Sequence, residues 1–187
     1  MKKTIITFTL LLSCIFRCYA QIEPEFDNTK FYLNLLTPGI SIEKLISGKT
    51  TIEVSGDLVP INFVYESNTG FSRYYFAISP RLKSDLRFYY NRRKQKKELM
   101  KNSGNFVALT GGYFLNSVYN NLPSLYSSKA PTPFDGSFYV SPLWGIQRNY
   151  KSGFHFLLTF GYGISGGNNK EMEGIFVSDL ILGFTIK

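Results

Sequence analysis

The sequence predicts an all-β protein, a closed antiparallel up-and-down transmembrane β-barrel of about eight strands. The first observation is an alternation from Arg73 to Tyr90, in which the even positions are mostly apolar or aromatic and many odd positions are charged. A period of two indicates a β-strand with two chemically different faces. A membrane barrel would suit both faces, because the apolar face would contact lipid and the charged face would line a hydrated or charge-paired interior.

The second observation is an amino-terminal segment that predicts export. A short positive start is followed by a largely apolar stretch, and Cys18 and Ala20 place small residues where a signal peptidase reads the chain. We interpret residues 1–20 as a cleaved signal peptide and residues 21–187 as a single outer-membrane β-barrel domain. The alternative is a lipoprotein signal with Cys14 as the lipidated residue, which the bulky Leu12 fits poorly.

Seven segments show strand patterning between turn-rich stretches such as Ser67–Gly70 and Lys151–Gly153. The last two segments have the clearest apolar faces, one beginning at Phe154 and one at Phe176. No segment after the signal is apolar enough over about 18 to 20 residues to form a membrane helix. The predicted strands are residues 31–45, 50–64, 72–91, 104–117, 136–149, 153–165 and 175–187.

Loop lengths predict an orientation and an eighth strand. Bacterial outer-membrane barrels have short periplasmic turns and longer external loops, so the 151–153 turn is expected in the periplasm and the 118–135 and 166–174 segments outside. Counting strands back from this turn, with ends alternating between the two sides of the membrane, gives seven strands. A barrel with both termini in the periplasm needs an even number, so one strand is missing. Either residues 22–30 supply a weak strand, or the 72–91 run breaks near Ser79-Pro80, where proline removes a ladder donor.

An eight-stranded barrel is just wide enough inside for its own side chains, so a filled lumen without an open pore is expected. Four acids and four bases occupy alternate strand positions that are predicted to face inward. They predict a salt-bridge network, because paired charges are tolerable in a dry interior. A soluble sheet with the same charges facing water is the simpler alternative. The predicted luminal residues are Glu53, Asp57, Arg73, Arg81, Lys83, Asp85, Arg87 and Asp179.

Positive charge is concentrated in one loop. Residues 1–20 hold 3 of the 21 Lys and Arg, so 18 remain against 13 Asp and Glu, a net charge of +5. The basic loop, residues 92–101, carries +5 by itself and is a candidate anion-binding site facing the periplasm, for inner-leaflet headgroups or an acidic periplasmic protein. Without interleaved aromatic residues it does not suggest nucleic acid. Its basic residues are Arg92, Arg93, Lys94, Lys96, Lys97 and Lys101.

Three segments carry a resemblance to a known group of proteins. They are Leu35–Glu43, Asp85–Asn91 with the basic turn after it, and Pro142–Arg148. Together with the export signal, they resemble small uncharacterised outer-membrane β-barrel proteins of Bacteroidetes-type bacteria. The resemblance implies a bacterial outer-membrane location with membrane lipid and lipopolysaccharide as neighbours, and it supplies no catalytic residue.

The sequence offers little catalytic chemistry. Cys14 and Cys18 leave with the signal and His155 is the only histidine, so no metal site, cofactor or catalytic residue is predicted. A trio of His155, Ser141 and either Glu53 or Asp179 is conceivable for a lipid hydrolase, but no spacing selects it. We expect a structural or interaction role without enzymatic activity; the alternatives are a soluble exported lipocalin-like carrier of an apolar ligand and an outer-membrane lipid hydrolase.

Overall fold

A computed structural model describes residues 27–66, 72–92, 99, 101–121, 132, 134–167 and 170–186. Nine strands lie in this part of the chain. They are β1 (Thr29–Asn34), β2 (Gly39–Ser47), β3 (Thr50–Glu66), β4 (Ser72–Arg92), β5 (Gly104–Phe114), β6 (Tyr119–Asn120), β7 (Ser137–Asn149), β8 (Phe154–Gly167) and β9 (Lys170–Ile186).

The strands form one antiparallel sheet whose hydrogen-bonded pairings close into a ring. The order is β1, β2, β3, β4, β5, β7, β8 and β9, and β9 pairs back to β1 from Phe31↔Ile186 to Asn34↔Gly183. The two-residue β6 lies outside the ring and pairs with β4 at Ala77 and Ile78. The all-β, antiparallel part of the predicted fold class is therefore confirmed.

Within the described ranges, no helix is both long enough and apolar enough to span a membrane.

The prediction of one strand over residues 31–45 is wrong. The chain turns at residues 35–38, so β1 and β2 are a hairpin in which Asn34 pairs with Gly39. Apolar alternation continues on both sides of this turn, which hid the reversal, whereas Pro38-Gly39 was the turn signal. This hairpin supplies the additional ring strand.

Of the two proposed sources of that strand, the first falls mostly outside the described residues and the second is wrong. Residues 22–26 lie outside the described residues, and only Thr29 and Lys30 of that segment belong to β1. The 72–91 run does not break, because β4 is continuous and Pro80 pairs opposite Leu58.

Two segments predicted as external loops contain strand. Residues 170–174, within the predicted 166–174 loop, belong to β9 and pair with the end of β8. The 118–135 segment includes β6. The remaining predicted strands are found with ends that differ by three residues or fewer, except that β9 begins five residues before the predicted start at residue 175.

The two faces of the ring have inverted polarity. Inward side chains are buried and many are charged, whereas the outward face is apolar. On β4 the sequence Leu82 to Tyr90 alternates strictly between exposed and buried residues. Exposed apolar residues in the ring include Phe31, Leu33, Ile40, Ile42, Val54, Leu58, Leu82, Leu86, Phe88, Val107, Leu109, Phe138, Val140, Phe160, Ile164, Leu180 and Phe184.

Buried apolar residues form two clusters inside the ring. One contains Tyr89, Phe106, Ala108, Leu143, Leu157 and Ile181. The other contains Ile61, Ala77, Phe114, Tyr139 and Val177. Two aromatic rings lie over glycines on the paired strand: Phe106 over Gly145 and Tyr139 over Gly112. A ring over a glycine fills space that would otherwise be void, and it helps to set the register of β5 against β7.

Candidate functional site

The inner charge network is the most distinctive group of polar residues in the described structure. It consists of Glu43, Glu53, Asp57, Asp85 and Asp179 with Arg81, Lys83 and Arg87, all buried inside the ring. Buried charges are costly unless they are paired and hydrogen-bonded. Their partners therefore determine what this interior can do.

Glu43 on β2 accepts hydrogen bonds at the end of the ring where β2 turns into β3. Its Oε1 accepts from the hydroxyls of Thr51 at 2.7 Å and Tyr89 at 2.8 Å. Its Oε2 accepts from Tyr32 at 2.8 Å and from the amides of Asn102 and Gln147 at 3.0 Å each. Five donors on one carboxylate satisfy its lone pairs without a direct cation.

Arg87 on β4 connects this end of the network to the middle. Its Nη1 donates to Glu53 and, at 2.8 Å, to Gln147 Oε1, while Nη2 donates to Asp85 Oδ2 at 2.7 Å. The guanidinium also lies 4.9 Å from the ring centre of Phe106. Because the planar guanidinium bridges two strands and two carboxylates, it fixes their relative positions.

Arg81 and Lys83 hold the other end. Arg81 binds Asp57 in a bidentate pair, with Nε to Oδ1 at 3.0 Å and Nη2 to Oδ2 at 2.7 Å. Asp179 on β9 lies 2.9 Å from Arg81 Nη2 and 2.8 Å from Lys83 Nζ. These bonds join β3 and β4 to β9 across the interior, so the network braces the ring from within.

The structure places seven of the eight predicted luminal residues on the inner face. These are Glu53, Asp57, Arg81, Lys83, Asp85, Arg87 and Asp179. Arg73 lies in β4, but its side chain is outside the described part of the structure.

Sequence reasoning missed Glu43 and its uncharged donors. Ser41 and Glu43 alternate with Ile40 and Ile42, and this alternation was the available signal that Glu43 faces inward. Because the turn at residues 35–38 was not recognised, the inward face of this strand was not assigned. Lys30, also buried, adds a fourth base and pairs with Asp27 at 3.1 Å. Among the described buried side chains there are thus five acids and four bases rather than four of each.

The residues considered for hydrolysis are not brought together. His155 Nδ1 is 2.7 Å from Asn149 Oδ1, and its ring stacks on Tyr32 at 4.2 Å. Ser141 donates to the carbonyl of Pro142. Because His155 pairs opposite Asn149, eight residues along β7 from Ser141, the two side chains are separated by roughly 26 Å at 3.3 Å per residue.

The basic loop falls mostly outside the described residues. The side chain of Arg92 and all of Arg93, Lys94, Lys96 and Lys97 are in the part that is not described. Lys101 is exposed, and its Nζ lies 3.7 Å from Asp27 Oδ1. The backbone carbonyl of Lys101 accepts a hydrogen bond from Lys30 Nζ at 2.8 Å. Across the described ranges no group of three or more His, Cys, Asp or Glu residues is arranged to hold a metal ion.

Comparisons with protein-family models, with curated proteins and with solved structures find no match to this chain.

Proposed function

We propose that this chain is a small integral outer-membrane β-barrel protein with a filled lumen and a structural or interaction role. The observation that carries the proposal is the inverted polarity of the closed ring, with charges buried inside and apolar side chains exposed outside. In water such a surface would favour aggregation or association. In a bilayer it is the expected arrangement, because the apolar side chains contact lipid while hydrogen bonds between neighbouring strands satisfy the backbone polar groups along the paired parts of the ring.

The distribution of aromatic residues supports this location. Near the β7–β8 turn the outer surface carries Tyr90, Tyr150, Phe154 and Phe184. Trp144 lies at the middle of β7, where it packs against Phe160 and its Nε1 donates to the Tyr90 hydroxyl. Towards the opposite strand ends it carries Tyr74, Tyr113, Tyr119, Phe138, Tyr162 and Phe176. Aliphatic residues such as Leu82, Leu86 and Leu109 lie between. Two aromatic girdles around an aliphatic band are typical of outer-membrane barrels.

The charge network supports a closed lumen. A ring of eight strands, the nine of the sheet without β6, is narrow enough that its own side chains fill most of the interior, apart from a side cavity between β3 and β9. Hydrogen bonds and ion pairs run between Glu43, Arg87 and Asp179 across the interior. We therefore propose no conducting pore, no catalytic activity and no cofactor. The proposed neighbours are membrane lipid and lipopolysaccharide, with no nucleic acid, and an anionic partner at the basic loop is a further part of the proposal.

The two alternative functions receive less support. A soluble lipocalin-like carrier needs an apolar lumen and a polar exterior, and the described faces have the opposite character across the middle of the ring. A lipid hydrolase needs a nucleophile within hydrogen-bond reach of a base, whereas His155 contacts Asn149 and Ser141 contacts Pro142.

Fractionation and gel mobility test the membrane location. The chain should remain with outer-membrane vesicles after high-salt and carbonate washing, and unheated samples should migrate faster than boiled ones because a closed barrel resists detergent. Recovery in the soluble fraction would overturn the proposal. In planar bilayers the purified protein should add no stable conductance, and stepwise channels would contradict the filled lumen.

A further inference from the structure

A gap in the ring opens between β3 and β9. The β1–β2 hairpin is shorter than the strands beside it, and its contacts end where Leu58 N donates to Pro38 O and Leu35 N donates to Leu182 O. In the described residues, β3 beyond Leu58 pairs only with β4, and β9 before Leu182 pairs only with β8. The two strand edges therefore stand apart over the half of the ring farthest from the β7–β8 turn.

A cavity of about 370 Å³ lies at this gap. Its walls include residues 59–62 of β3 and 175–179 of β9, together with Arg81, Phe114, Phe134 and Tyr139. Inside, Ile61, Phe114 and Val177 are buried and belong to one apolar cluster. The volume lies within the range of roughly 300 to 1,000 Å³ that is usual for small-molecule sites.

The charged groups at the base of the cavity are already paired. Arg81 is shared between Asp57 and Asp179, and the second oxygen of Asp179 binds Lys83. An additional charge from a ligand would compete with these bonds and pay its own desolvation cost. The cavity therefore favours an uncharged apolar group above a satisfied polar base.

The rim of the gap is mostly apolar on its outer side, with Asn62 and Ser178 as polar members. Leu58 borders it on β3, Phe176 and Leu180 border it on β9, and the hairpin tip exposes Leu35 and Leu36. If the ring spans a bilayer as proposed, these residues contact lipid. The cavity is then open sideways to acyl chains.

On the β3 edge of the gap, a strand from another protein is a poorer occupant. Leu58 directs its N–H towards β2, and in an antiparallel strand the next residue with that direction is Pro60. Proline has no N–H, so the donor series on this edge is interrupted at its start. Proline at an open edge is a common protection against strand addition.

We propose that the acyl chain of a membrane lipid enters this cavity sideways between β3 and β9, with its headgroup remaining outside. This inference rests on the proposed membrane location. Contact of an acyl chain with the inward residues would show entry into the cavity, whereas contact with the lipid-facing rim residues alone would show only contact with the bilayer.

Photocrosslinking tests the proposal. The protein is placed in phosphatidylcholine vesicles that contain either a phosphatidylcholine or a free fatty acid with a diazirine near the end of its acyl chain. After irradiation, fragment masses should locate adducts on inward Ile61, Phe114 or Val177 as well as on outward Phe176 and Leu180. The probe that labels the inward residues identifies the source of the chain.

A matched pair of variants checks the route. In the Val177→Phe variant the new ring fills the cavity, so most inward adducts should be lost. In the Ser178→Phe variant the ring lies on the outer face, one residue along β9, so the inward adducts should remain. Adducts confined to outward residues would overturn chain entry while the membrane location stands. Adducts on neither face would overturn the membrane location itself. A dimer with cross-links between β3 of one copy and β9 of another would replace lipid by a second copy.

Discussion

Glu43 illustrates how single residues support this structure. Its carboxylate accepts hydrogen bonds from side chains on β1, β3, β4 and β7 and from Asn102. An amide of the same size cannot replace it, because an NH₂ group would face donors instead of accepting from them. The contribution of Glu43 therefore depends on its chemistry as well as its volume.

Glu43→Gln should lower the free energy of unfolding by about 1 to 3 kcal/mol, the cost of leaving buried donors unsatisfied. Equilibrium urea unfolding in lipid vesicles, followed by the fluorescence of Trp144, measures the change. Lys44→Gln, on the exposed neighbour, is the matched control and should have little effect. Equal stability of the two variants would show that Glu43 does not organise this end of the interior.

Arg87 is expected to be more sensitive, because two buried carboxylates depend on it. Arg87→Met should destabilise the protein by about 3 to 5 kcal/mol, the usual cost of breaking a buried ion pair on one side. Adding Glu53→Gln should recover part of this loss by removing one unpaired charge. The same urea assay applies, with Leu86→Met on the outer face as control. No recovery in the double variant would argue against direct coupling.

At the scale of elements, the short β1–β2 hairpin has the largest consequence. It supplies a ring strand and, by ending early, leaves the gap between β3 and β9. Its close approach to β3 depends on glycine at position 39. A Cβ there would lie 2.4 Å from the carbonyl oxygen of Gly56 and 2.7 Å from Asp57 Cα, both backbone atoms.

Gly39→Ala should therefore destabilise the hairpin, by about 1 to 3 kcal/mol if neighbouring backbone shifts to relieve the overlap. Gly56→Ala is the control on the paired strand, because its Cβ would meet only Leu82 Cδ2 at 3.6 Å, an ordinary contact. Urea midpoints in vesicles should fall for the first variant and stay near the parent value for the second. The reverse order would contradict the described register of β2 against β3.

For the whole molecule, the proposal of a lipid-facing exterior can be tested with charge. Leu180→Lys on the outward face of β9 should reduce stability in the bilayer by roughly 2 to 4 kcal/mol if the site is near the midplane. Ser152→Lys, in the exposed β7–β8 turn, should be tolerated. Folding yield in vesicles of increasing thickness measures both variants. Equal tolerance would argue that no bilayer surrounds the ring.

Orientation is a second property of the whole molecule. Antiparallel neighbours place the β2–β3, β4–β5 and β7–β8 connections at one end of the ring, and the shortness of the first and last predicts that this end faces the periplasm. A membrane-impermeant amine reagent applied to intact cells should therefore miss Lys94, Lys96 and Lys97 and modify Lys129. Labelled Lys96 with protected Lys129 would mean the inverse topology, with the basic loop facing lipopolysaccharide phosphates.

Local chemistry was sufficient to predict much of this fold. The period of two along β4 predicts a strand and assigns Arg81, Lys83, Asp85 and Arg87 to one face, because side chains alternate whatever the partner strands are. The same rule failed at residues 35–38, where a reversal preserved the alternation. Parity cannot distinguish a long strand from a hairpin, since both keep apolar residues on one face.

The sequence by itself determined that the chain forms antiparallel strands with opposite faces, and it assigned to one face seven of the charges that the structure buries, without Glu43 and Lys30. Only the tertiary structure decided that β9 pairs with β1, that Arg81 joins Asp57 to Asp179, and that the ring is open beside the short hairpin. Alternation is a property of a few consecutive residues. Register, closure and charge pairing depend on residues far apart in the chain, whose meeting is fixed only when all strands are in place.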